Sequence, residues 1–351
     1  YIFDKIKPND ITIKKEYQIK SNNNYINENI KKDKNIDLSI IIPVYNAEAY
    51  VTTCVNSIIN NNWKYSYEII LINDGSTDDT QNILNQFKDI KNIHIFYQEN
   101  SGAATARNYG ISKAKGKFLM FVDSDDSIDV KGTEKMIDKA IEEKCDLVQG
   151  SYVKIGKSEE NVIFNNETLS MEKEERKVLK IPGFPWGKII KSEIFKNVYF
   201  PNNLLYEDTI MPYIIYERCK KIGTIKDIVY KYTINNNGVT IKSRKTRKSE
   251  DTVKVINYVL DKMKELNIEF TYELYRFTIE CQLSYITYNR IKGNKKKIQK
   301  KIFYEACNIV RKLEKSLMKN EDIILKNIER SLKRQNFVLW KYSSEVLNLI
   351  R

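Results

Sequence analysis

The sequence has little cysteine and almost no histidine, and both scarcities limit the chemistry that it can support. Its cysteines lie far apart without paired spacing, which argues against a zinc site or a disulfide framework and favours a reducing compartment. They are Cys54, Cys145, Cys219, Cys281 and Cys307. The single histidine, His94, lies in an apolar, β-rich run, so we expect a structural strand residue rather than a catalytic base.

Long apolar runs are also absent. The densest stretches, such as Phe118–Val122, have the length of a strand and fall far short of the roughly 20 residues that a membrane-spanning helix needs. A glycine-rich, lysine-bearing phosphate loop is missing after the first predicted strand, where the sequence reads PVYNAEAY. This argues against a nucleotidyltransferase, because such an enzyme would need that loop to bind its nucleotide phosphates.

The composition is that of a globular protein, with 42% hydrophobic and 11% aromatic residues in a chain of 351. The formal net charge of +13 is spread along the chain, with denser clusters at Lys242–Lys248 and Lys292–Lys301. These clusters are either solvated loops and helix ends or a contact with anionic lipid head groups. We expect no nucleic-acid partner, because no nucleic-acid-binding module accompanies the charge.

Hydrophobic periodicity divides the chain into three regions. Residues 1–37 are rich in Asn, Lys and Ile and are predicted to be a linker-like extension. Strands alternate with helices over residues 38–245, which predicts an α/β fold with a doubly wound, mostly parallel sheet. Residues 246–351 have helical spacing and predict a helical appendage. The predicted strands are 38–43, 67–72, 93–97, 117–122 and 146–152, and the last helices are 295–318, 321–334 and 337–349.

The second helix of the sheet region has an apparent start signal. Ser76 or Thr77 is predicted to be its N-cap, with Asp78 and Asp79 in an acidic first turn.

Polar residues follow each of the first four predicted strands. The segments are Pro43–Asn46, Asn73–Ser76, Gln98–Gly102 leading to Arg107, and Asp123–Asp126. In a parallel sheet, ligands bind at the carboxyl ends of the strands. Four polar segments on one edge therefore indicate a binding site.

A nucleotide sugar is a ligand that suits these residues. Tyr45 offers an aromatic face for a base, and Asp74 offers an acceptor for a ring N–H. Asp123 and Asp125 would repel a diphosphate unless a hard divalent cation, Mn²⁺ or Mg²⁺, lay between them. Arg107 could add a fixed positive charge.

The stretch from Ser39 to about Tyr152 resembles the family 2 glycosyltransferases of GT-A fold. The matching motifs are IIPVYN, INDGSTDDT, ENSGAATARNYGI and FVDSDD, in that order. The resemblance implies that Asp125 is a metal ligand, that Asp123 contacts the ribose or the metal shell, and that Tyr45 and Asp74 hold the base, usually uracil. The expected donor-binding residues are Pro43, Tyr45, Asn46, Asp74, Asn100, Gly102, Arg107, Asp123 and Ser124.

The acceptor half of the domain, residues 153–245, follows the nucleotide-sugar half at 38–152. Trp186 could stack on a sugar face or could be a core tryptophan. The pattern WGK…FPxxLxYEDT is similar to the acceptor-side segment of the same family, which implies that Asp208 is the general base and that Glu207 supports it. Burial or Glu207 should raise the pKa of Asp208. Trp186, Lys188 and Tyr206 are the expected acceptor-binding residues.

One departure from the family pattern concerns the arginine often found after a tyrosine-rich strand late in the catalytic domain. Here that place reads Tyr230–Thr233, without arginine. Lys231 or the Lys242–Lys248 loop could substitute for it, and that loop could also close over bound donor as a lid.

The resemblance implies an inverting, metal-dependent transferase that uses a UDP-sugar and builds a surface glycan such as capsule or lipooligosaccharide. We expect it to work on the cytoplasmic side of a membrane, in peripheral contact with anionic lipid, on a glycan or lipid-linked acceptor. Polyprenyl phosphate is an alternative acceptor. The alternative function is a non-catalytic nucleotide-sugar or glycan-binding module of a larger polysaccharide-synthesis assembly.

Overall fold

The computed structural model describes residues 33, 35–156, 160–164, 169–172, 181–234, 247–319 and 321–350. Nearly all of the predicted linker at residues 1–37 lies outside these ranges, as do the run 235–240 and the basic loop 242–248 up to residue 246. The predicted lid therefore falls outside the described residues and stays a prediction.

The first half of the sheet is parallel, as predicted, and has the spatial order β3-β2-β1-β4. Its central strands are continuous apolar runs because helices cover both faces of a parallel sheet. The elements are β1 (Leu38–Val44), α1 (Val51–Ile59), β2 (Tyr67–Asp74), α2 (Thr80–Asn85), β3 (Ile93–Gln98), α3 (Ala103–Lys113) and β4 (Phe118–Phe121).

The predicted start of α2 is wrong. The helix begins at Thr80, and the residue before it makes no side-chain capping bond. Asp78 Oδ1 accepts from the Thr80 N–H at 3.1 Å. Ser76 and Thr77 instead bond to Asn46 in the loop after β1. These polar residues thus bond one loop to another, and a local capping pattern does not predict such long-range bonds.

The second half of the sheet is mixed. Across the described residues the sheet has ten strands, in the order β3-β2-β1-β4-β9-β6-β10-β5, with β7 on β6 and β8 on β10. β9 runs antiparallel to both β4 and β6, so it joins the parallel first half to the parallel β6–β10 pair. The elements are β5 (Ser127–Ile128), α4 (Val130–Glu142), β6 (Leu147–Ile155), β7 (Glu160–Phe164), β8 (Ser170–Glu172), β9 (Lys188–Lys191) and β10 (Lys221–Thr233).

The long strand β10 reaches the loop after β4. Its register against β6 shifts between Thr224 and Ile228 and again between Ile228 and Tyr230. Such shifts bend a strand and increase its twist. The far end of β10 therefore pairs with the short β5, which directly follows the Asp123–Asp126 segment. This places Tyr230 beneath that segment.

Helices make up most of the described chain beyond residue 246, as predicted, although the helix predicted at 295–318 ends at Leu313. The first of them packs on the sheet-bearing half, since Val259 and Met263 share a core with Ile210 and Ile214. The later helices enclose a separate core around Trp340, whose Nε1–H donates to Leu283 O at 2.9 Å. The predicted boundaries at residues 37 and 245 stay predictions. The α-helices that follow β9 in the chain are α5 (Tyr216–Arg218), α6 (Asp251–Glu265), α7 (Tyr272–Phe277), α8 (Thr287–Ile291), α9 (Lys296–Leu313), α10 (Ile323–Lys333) and α11 (Phe337–Ile350). Turns of π type at Met211–Ile215 and Thr278–Ile286 lead into α5 and α8.

The scarce residues have ordinary structural environments. The five cysteines are free. His94 lies in β3, with Nε2 3.4 Å from Glu68 Oε2. Within the described ranges, no helix combines the length and the apolar character needed to cross a bilayer.

Candidate functional site

The loops that follow β1 and β2 are bonded to each other at the carboxyl edge of the sheet. The Asn46 N–H donates to Ser76 Oγ at 3.0 Å, and Asn46 Oδ1 accepts from the Thr77 N–H at 2.8 Å. Asn46 has a φ of 47°, a left-handed conformation that asparagine tolerates. Tyr45 precedes it with 48% of its surface exposed, so its ring is open to a ligand. Pro43 is buried inside β1 and shapes the strand end from within.

Asp74 organises the loop that follows β3. It is 3% exposed, and its Oδ1 accepts from Gln98 Nε2 at 2.7 Å and from the Ser101 N–H at 2.8 Å. Its Oδ2 accepts from the Gly102 N–H at 2.8 Å. The carboxylate therefore holds the loop in place, and the predicted bond to a base N–H would have to use the Oδ2 lone pair that remains.

Two glycines let this edge adopt its shape. Gly75 has a φ of 67°, and a Cβ there would lie 2.7 Å from the Asn100 backbone nitrogen. Only glycine fits such a close backbone approach. Gly102 has a φ of 89° with open space around it, directly before the first residue of α3. Asn100 is exposed, so the loop presents polar groups to the solvent side of the edge.

The Asp123–Asp126 segment is fixed from below by Tyr230. The Asp123 N–H donates to Tyr230 Oη at 3.0 Å, and Tyr230 Oη donates to Asp126 Oδ2 at 2.7 Å. Asp126 Oδ1 also accepts from the Thr233 N–H at 2.7 Å. Asp126 is thus the buried anchor of the segment, while Asp123, Ser124 and Asp125 stay half-buried at the surface.

Negative charge is concentrated in this segment. Burial raises the pKa of Asp126 to about 8, and the charges of Asp123 and Asp125 add to the rise. Two half-buried carboxylates beside such a group fit a hard cation, which prefers oxygen ligands. Within the described part of the chain no group of three or more Asp, Glu, His or Cys side chains could hold a metal. A metal at this segment would be held by Asp123 and Asp125, and their role as metal ligands stays a prediction.

Arg107 connects this segment to the predicted acceptor side. It is 5% exposed, with Nη2 2.8 Å from Asp123 Oδ1 and Nη1 2.6 Å from Glu207 Oε1. A planar guanidinium suits such a bridge because its donors form a rigid fork. The predicted fixed charge is present, but it is shared between two carboxylates, and its contact with a diphosphate stays a prediction.

Asp208 lies beside that bridge in a short 3₁₀ turn, Glu207–Thr209, which follows Tyr206. Burial and then the charge of Glu207 raise its pKa to about 6, and Arg290 and Arg107 oppose the rise. The expected increase in the pKa of Asp208 is confirmed, with both of the anticipated causes. Its role as a base stays a prediction.

The structure corrects the expectation for Trp186. The residue is 8% exposed and belongs to an aromatic cluster rather than forming an open platform. Its ring stacks on Phe184 at 3.5 Å and on Tyr230 at 4.5 Å between centroids, and meets Tyr152 edge-on at 4.9 Å. The core alternative is therefore the one observed, because β10 and the 182–186 segment supply rings to cover the indole.

Lys188 is also placed differently from the prediction. It is fully buried, and its Nζ donates to the carbonyl oxygens of Pro182, Phe184 and Trp186. Burial holds the pKa of Lys188 well below its usual range, and Asp208 opposes this shift. The lysine fastens the 182–186 segment, since an ammonium has three donors and all three meet carbonyls. It has no surface left to contact an acceptor.

Sequence reasoning missed three residues of this region. Tyr230 and Asp126 hold the acidic segment, and Arg290 in α8 lies over the Tyr206 ring at 3.4 Å. The residues in the Tyr230–Asp126 bond are 104 positions apart in the chain. The only signal for Tyr230 was its place in the tyrosine-rich strand, where an arginine was sought. No signal identified Arg290.

A separate groove on the described surface lies away from this edge. It has a volume of about 560 Å³ and lies where β6 and β10 begin, lined by Asp146, Lys191, Arg218, Lys220 and Lys221. Ligands bind at the opposite, carboxyl ends of parallel strands. We therefore assign the site to the edge described above.

Similarity to known proteins identifies the class of this protein. Residues 39–199 match the profile of glycosyl transferase family 2. The chain is 32% identical over 211 residues to the glycosyltransferase GlyG of Streptococcus pneumoniae, a match that covers 56% of this chain and 70% of that protein. The chain therefore belongs to glycosyl transferase family 2.

Other relatives are longer. The glycosyltransferase GlyA of S. pneumoniae is 30% identical over 222 residues, which cover 58% of this chain and 31% of GlyA. The minor teichoic acid biosynthesis protein GgaB of Bacillus subtilis is 31% identical over 219 residues, which cover 59% of this chain and 24% of GgaB. The match thus spans less than a third of these two relatives.

Solved structures share the fold. The crystal structure of S. aureus TarS 1–349 in complex with UDP-GlcNAc aligns with a TM-score of 0.72 at 19% identity. The alignment covers 90% of this chain and 93% of that chain, so it includes the C-terminal helices as well as the sheet.

Proposed function

We propose that this chain transfers a sugar from a UDP-sugar to an acceptor hydroxyl with inversion at the anomeric carbon, and that Asp208 is the general base. The observation that carries the proposal is the Arg107 bridge from Asp123 to Glu207. It brings the acidic donor-side segment and a carboxylate with a pKa of about 6 to one place. Transfer needs both, because the leaving group and the attacking hydroxyl meet at one carbon.

The donor side would use the loops at the ends of β1 to β4. The exposed ring of Tyr45 is available to stack on a uracil, and the loop held by Asp74 borders the same edge. Asp123 and Asp125 would hold a divalent metal, which when bound stabilises the charge on the departing diphosphate. The TarS structures with UDP-GlcNAc and with UDP support a uridine donor.

The acceptor side would use Asp208. A pKa near 6 leaves the carboxylate ionised at neutral pH and more basic than a free aspartate. It takes the proton from the acceptor hydroxyl as that oxygen attacks the anomeric carbon, and the nucleoside diphosphate leaves from the opposite face. A single displacement of this kind inverts the configuration. A purely binding module would have no use for a half-buried carboxylate with a raised pKa.

The names of two relatives support a proposal for the acceptor class. GgaB is named for minor teichoic acid biosynthesis, and another relative is a poly(ribitol-phosphate) β-glucosyltransferase of Bacillus spizizenii, 32% identical over 211 residues. We therefore place the acceptor among surface polysaccharides, which include anionic polyol phosphates. A peripheral contact with anionic lipid, suggested by the basic clusters, stays a prediction.

The test is release of nucleoside diphosphate from a panel of UDP- and GDP-sugars, with Mn²⁺ or Mg²⁺ and with chelator, water serving as the acceptor. We expect metal-dependent UDP release from one or more UDP-sugars, lost in Asp125→Asn. Asp227→Asn is the matched control, since Asp227 is a surface aspartate paired with Lys135 and should leave release unchanged. Release that survives both chelator and Asp125→Asn would refute the metal-assisted mechanism, and no binding of any donor would refute the transferase.

A further inference from the structure

Arg290 joins the C-terminal helices to the acceptor-side carboxylates. It lies in α8, with its guanidinium carbon 3.4 Å from the centroid of the Tyr206 ring. Its Nη1 donates to Thr252 Oγ1 in α6 at 2.9 Å. A guanidinium stacked this closely on an aromatic ring makes a favourable cation–π contact. The helices therefore hold the residue directly before Glu207 and Asp208.

The same helices also hold the backbone of Leu205, the residue directly before Tyr206. Asp251 Oδ2, at the start of α6, accepts from the Leu205 N–H at 3.2 Å. Tyr206 has a φ of 68°, which is strained for a bulky side chain and persists only where neighbours fix it. The ring stack and the Asp251 bond supply that constraint. The direction in which the chain enters the Glu207–Thr209 turn thus depends on residues beyond 250.

Several charged and titratable groups surround Asp208. Glu207 raises its pKa, while Arg107 and Arg290 lower it. Lys188 and Tyr216 also interact electrostatically with Asp208. These groups come from five separate elements of the fold, so the charge of Asp208 is set by tertiary structure.

Three cations surround Asp208, and they differ in how far other groups balance their charge. Arg107 forms ion pairs with Asp123 and Glu207, and Lys188 is held by three carbonyls. Among the residues that the structure describes, no carboxylate lies within ion-pair distance of Arg290, which bonds to a hydroxyl and stacks on a neutral ring. The positive charge of Arg290 can therefore act on Glu207 and Asp208, the two carboxylates that follow Tyr206.

We propose that Arg290 is a positioning residue for acceptor deprotonation: the C-terminal helices place its guanidinium over Tyr206, where it fixes the Glu207–Asp208 turn and sets a positive charge beside that turn. The proposal rests on the proposed function of Asp208 as the base. It gives the helical region a part in the reaction of the sheet-bearing half. It also accounts for a half-buried base that lies beside a second carboxylate and is still ionised at neutral pH.

The expected effect follows from the sign of the charge. A base works when deprotonated, so turnover falls as the pH drops through its pKa. Removing a nearby positive charge raises that pKa, typically by about 1 unit or more. Turnover of Arg290→Gln should therefore be about tenfold lower than wild type at pH 5.5 and should recover towards wild type by about pH 8.

The experiment is the pH profile of UDP release from UDP-GlcNAc, or from whichever tested UDP-sugar gives the fastest release, over pH 5 to 9. It compares wild type with Arg290→Gln, Arg290→Lys and Arg276→Gln. Arg276 is the matched control, because it lies in the preceding helix α7 and pairs with Glu280 and Glu321. We expect the acid limb to move to higher pH in Arg290→Gln, to move less in Arg290→Lys, which keeps the charge, and to stay in place in Arg276→Gln.

Thermal unfolding and UDP affinity, measured on the same variants, separate positioning from misfolding. A folded Arg290→Gln that binds UDP normally and has an unmoved acid limb would overturn the proposal. An equal shift in Arg276→Gln would overturn it as well, because the effect would then be one of general helix packing. If Asp208→Asn retains full turnover, the proposed function itself fails, and that outcome is distinct from both.

Discussion

Tyr230→Phe is the most informative single change at the donor side, because it removes one oxygen atom and keeps the ring. The ring stacks on Trp186 at 4.5 Å between centroids, and phenylalanine preserves that contact. The lost Oη accepts from the Asp123 N–H at 3.0 Å and donates to Asp126 at 2.7 Å. The substitution therefore tests the hydroxyl as the support of the acidic segment.

The magnitude can be worked from these two bonds. The pKa of Asp126 is about 8, so its carboxyl is largely protonated at neutral pH and both bonds join neutral groups. A hydrogen bond between neutral groups contributes about 0.5–1.5 kcal/mol. Asp123 lies at the surface, where water can replace part of the loss, so we expect the free energy of unfolding to fall by about 2 kcal/mol. Asp123 and Asp125 would also lose their fixed orientation. If these two residues hold a metal as proposed, loss of such a supporting contact should lower activity by about 10- to 100-fold.

Urea unfolding followed by circular dichroism measures the first effect, and metal-dependent UDP release measures the second. Tyr275→Phe is the matched control, since its buried hydroxyl donates to Glu329 at 2.8 Å within the C-terminal helices. It should lose similar stability and keep full UDP release. Equal UDP release by the two variants would refute the idea that Tyr230 orients the acidic segment.

Three further predictions concern charge. Arg107→Met should lower the free energy of unfolding by about 3 kcal/mol in urea, because Asp123 and Glu207 lose their shared cation; a change below about 1 kcal/mol would contradict the bridge. Asp74→Asn should weaken UDP binding, measured by calorimetry, and lower the free energy of unfolding by about 1–2 kcal/mol. The amide nitrogen of asparagine cannot accept an N–H, so at least one bond to the loop after β3 is lost and the others lose their charge; unchanged values for both would count against this account. UDP release should fall about tenfold per unit as the pH drops below about 6, the pKa of Asp208, and a flat profile down to pH 4.5 would exclude it as the base.

The parallel half of the sheet could be predicted because local sequence alone specifies it. Strands such as Leu38–Val44 are apolar on both faces, and polar segments mark their ends. The mixed half of the sheet was harder to predict from the sequence. β9 is four residues long and pairs antiparallel between two distant strands, and no local pattern reports that pairing. The start of α2 was misplaced because Ser76 and Thr77 bond to a loop 30 and 31 residues away.

The residues of the site likewise include some that the sequence could predict and some that it could not. The residues after β1 to β4 come to one edge because parallel strands end together, so their grouping follows from topology. The rise in the pKa of Asp208 was also predictable from its neighbour and its burial. Trp186 and Lys188 were not, since an indole or an ammonium can face an acceptor or its own chain, and only the packing of Phe184 and Tyr230 decides. Arg290 lies 82 positions beyond Asp208 in a helix without a motif, so only the folded chain reveals it.

The most direct test of the central claim compares donor binding with turnover in Asp208→Asn and wild type, using calorimetry for UDP and UDP release from the best UDP-sugar. The account predicts UDP affinity within about twofold of wild type, because Asp208 lies on the acceptor side of the Arg107 bridge. It predicts turnover lower by about 10²–10⁴-fold, the usual contribution of a general base. Turnover within a few-fold of wild type, in a variant that still binds UDP, would show that another group takes the proton.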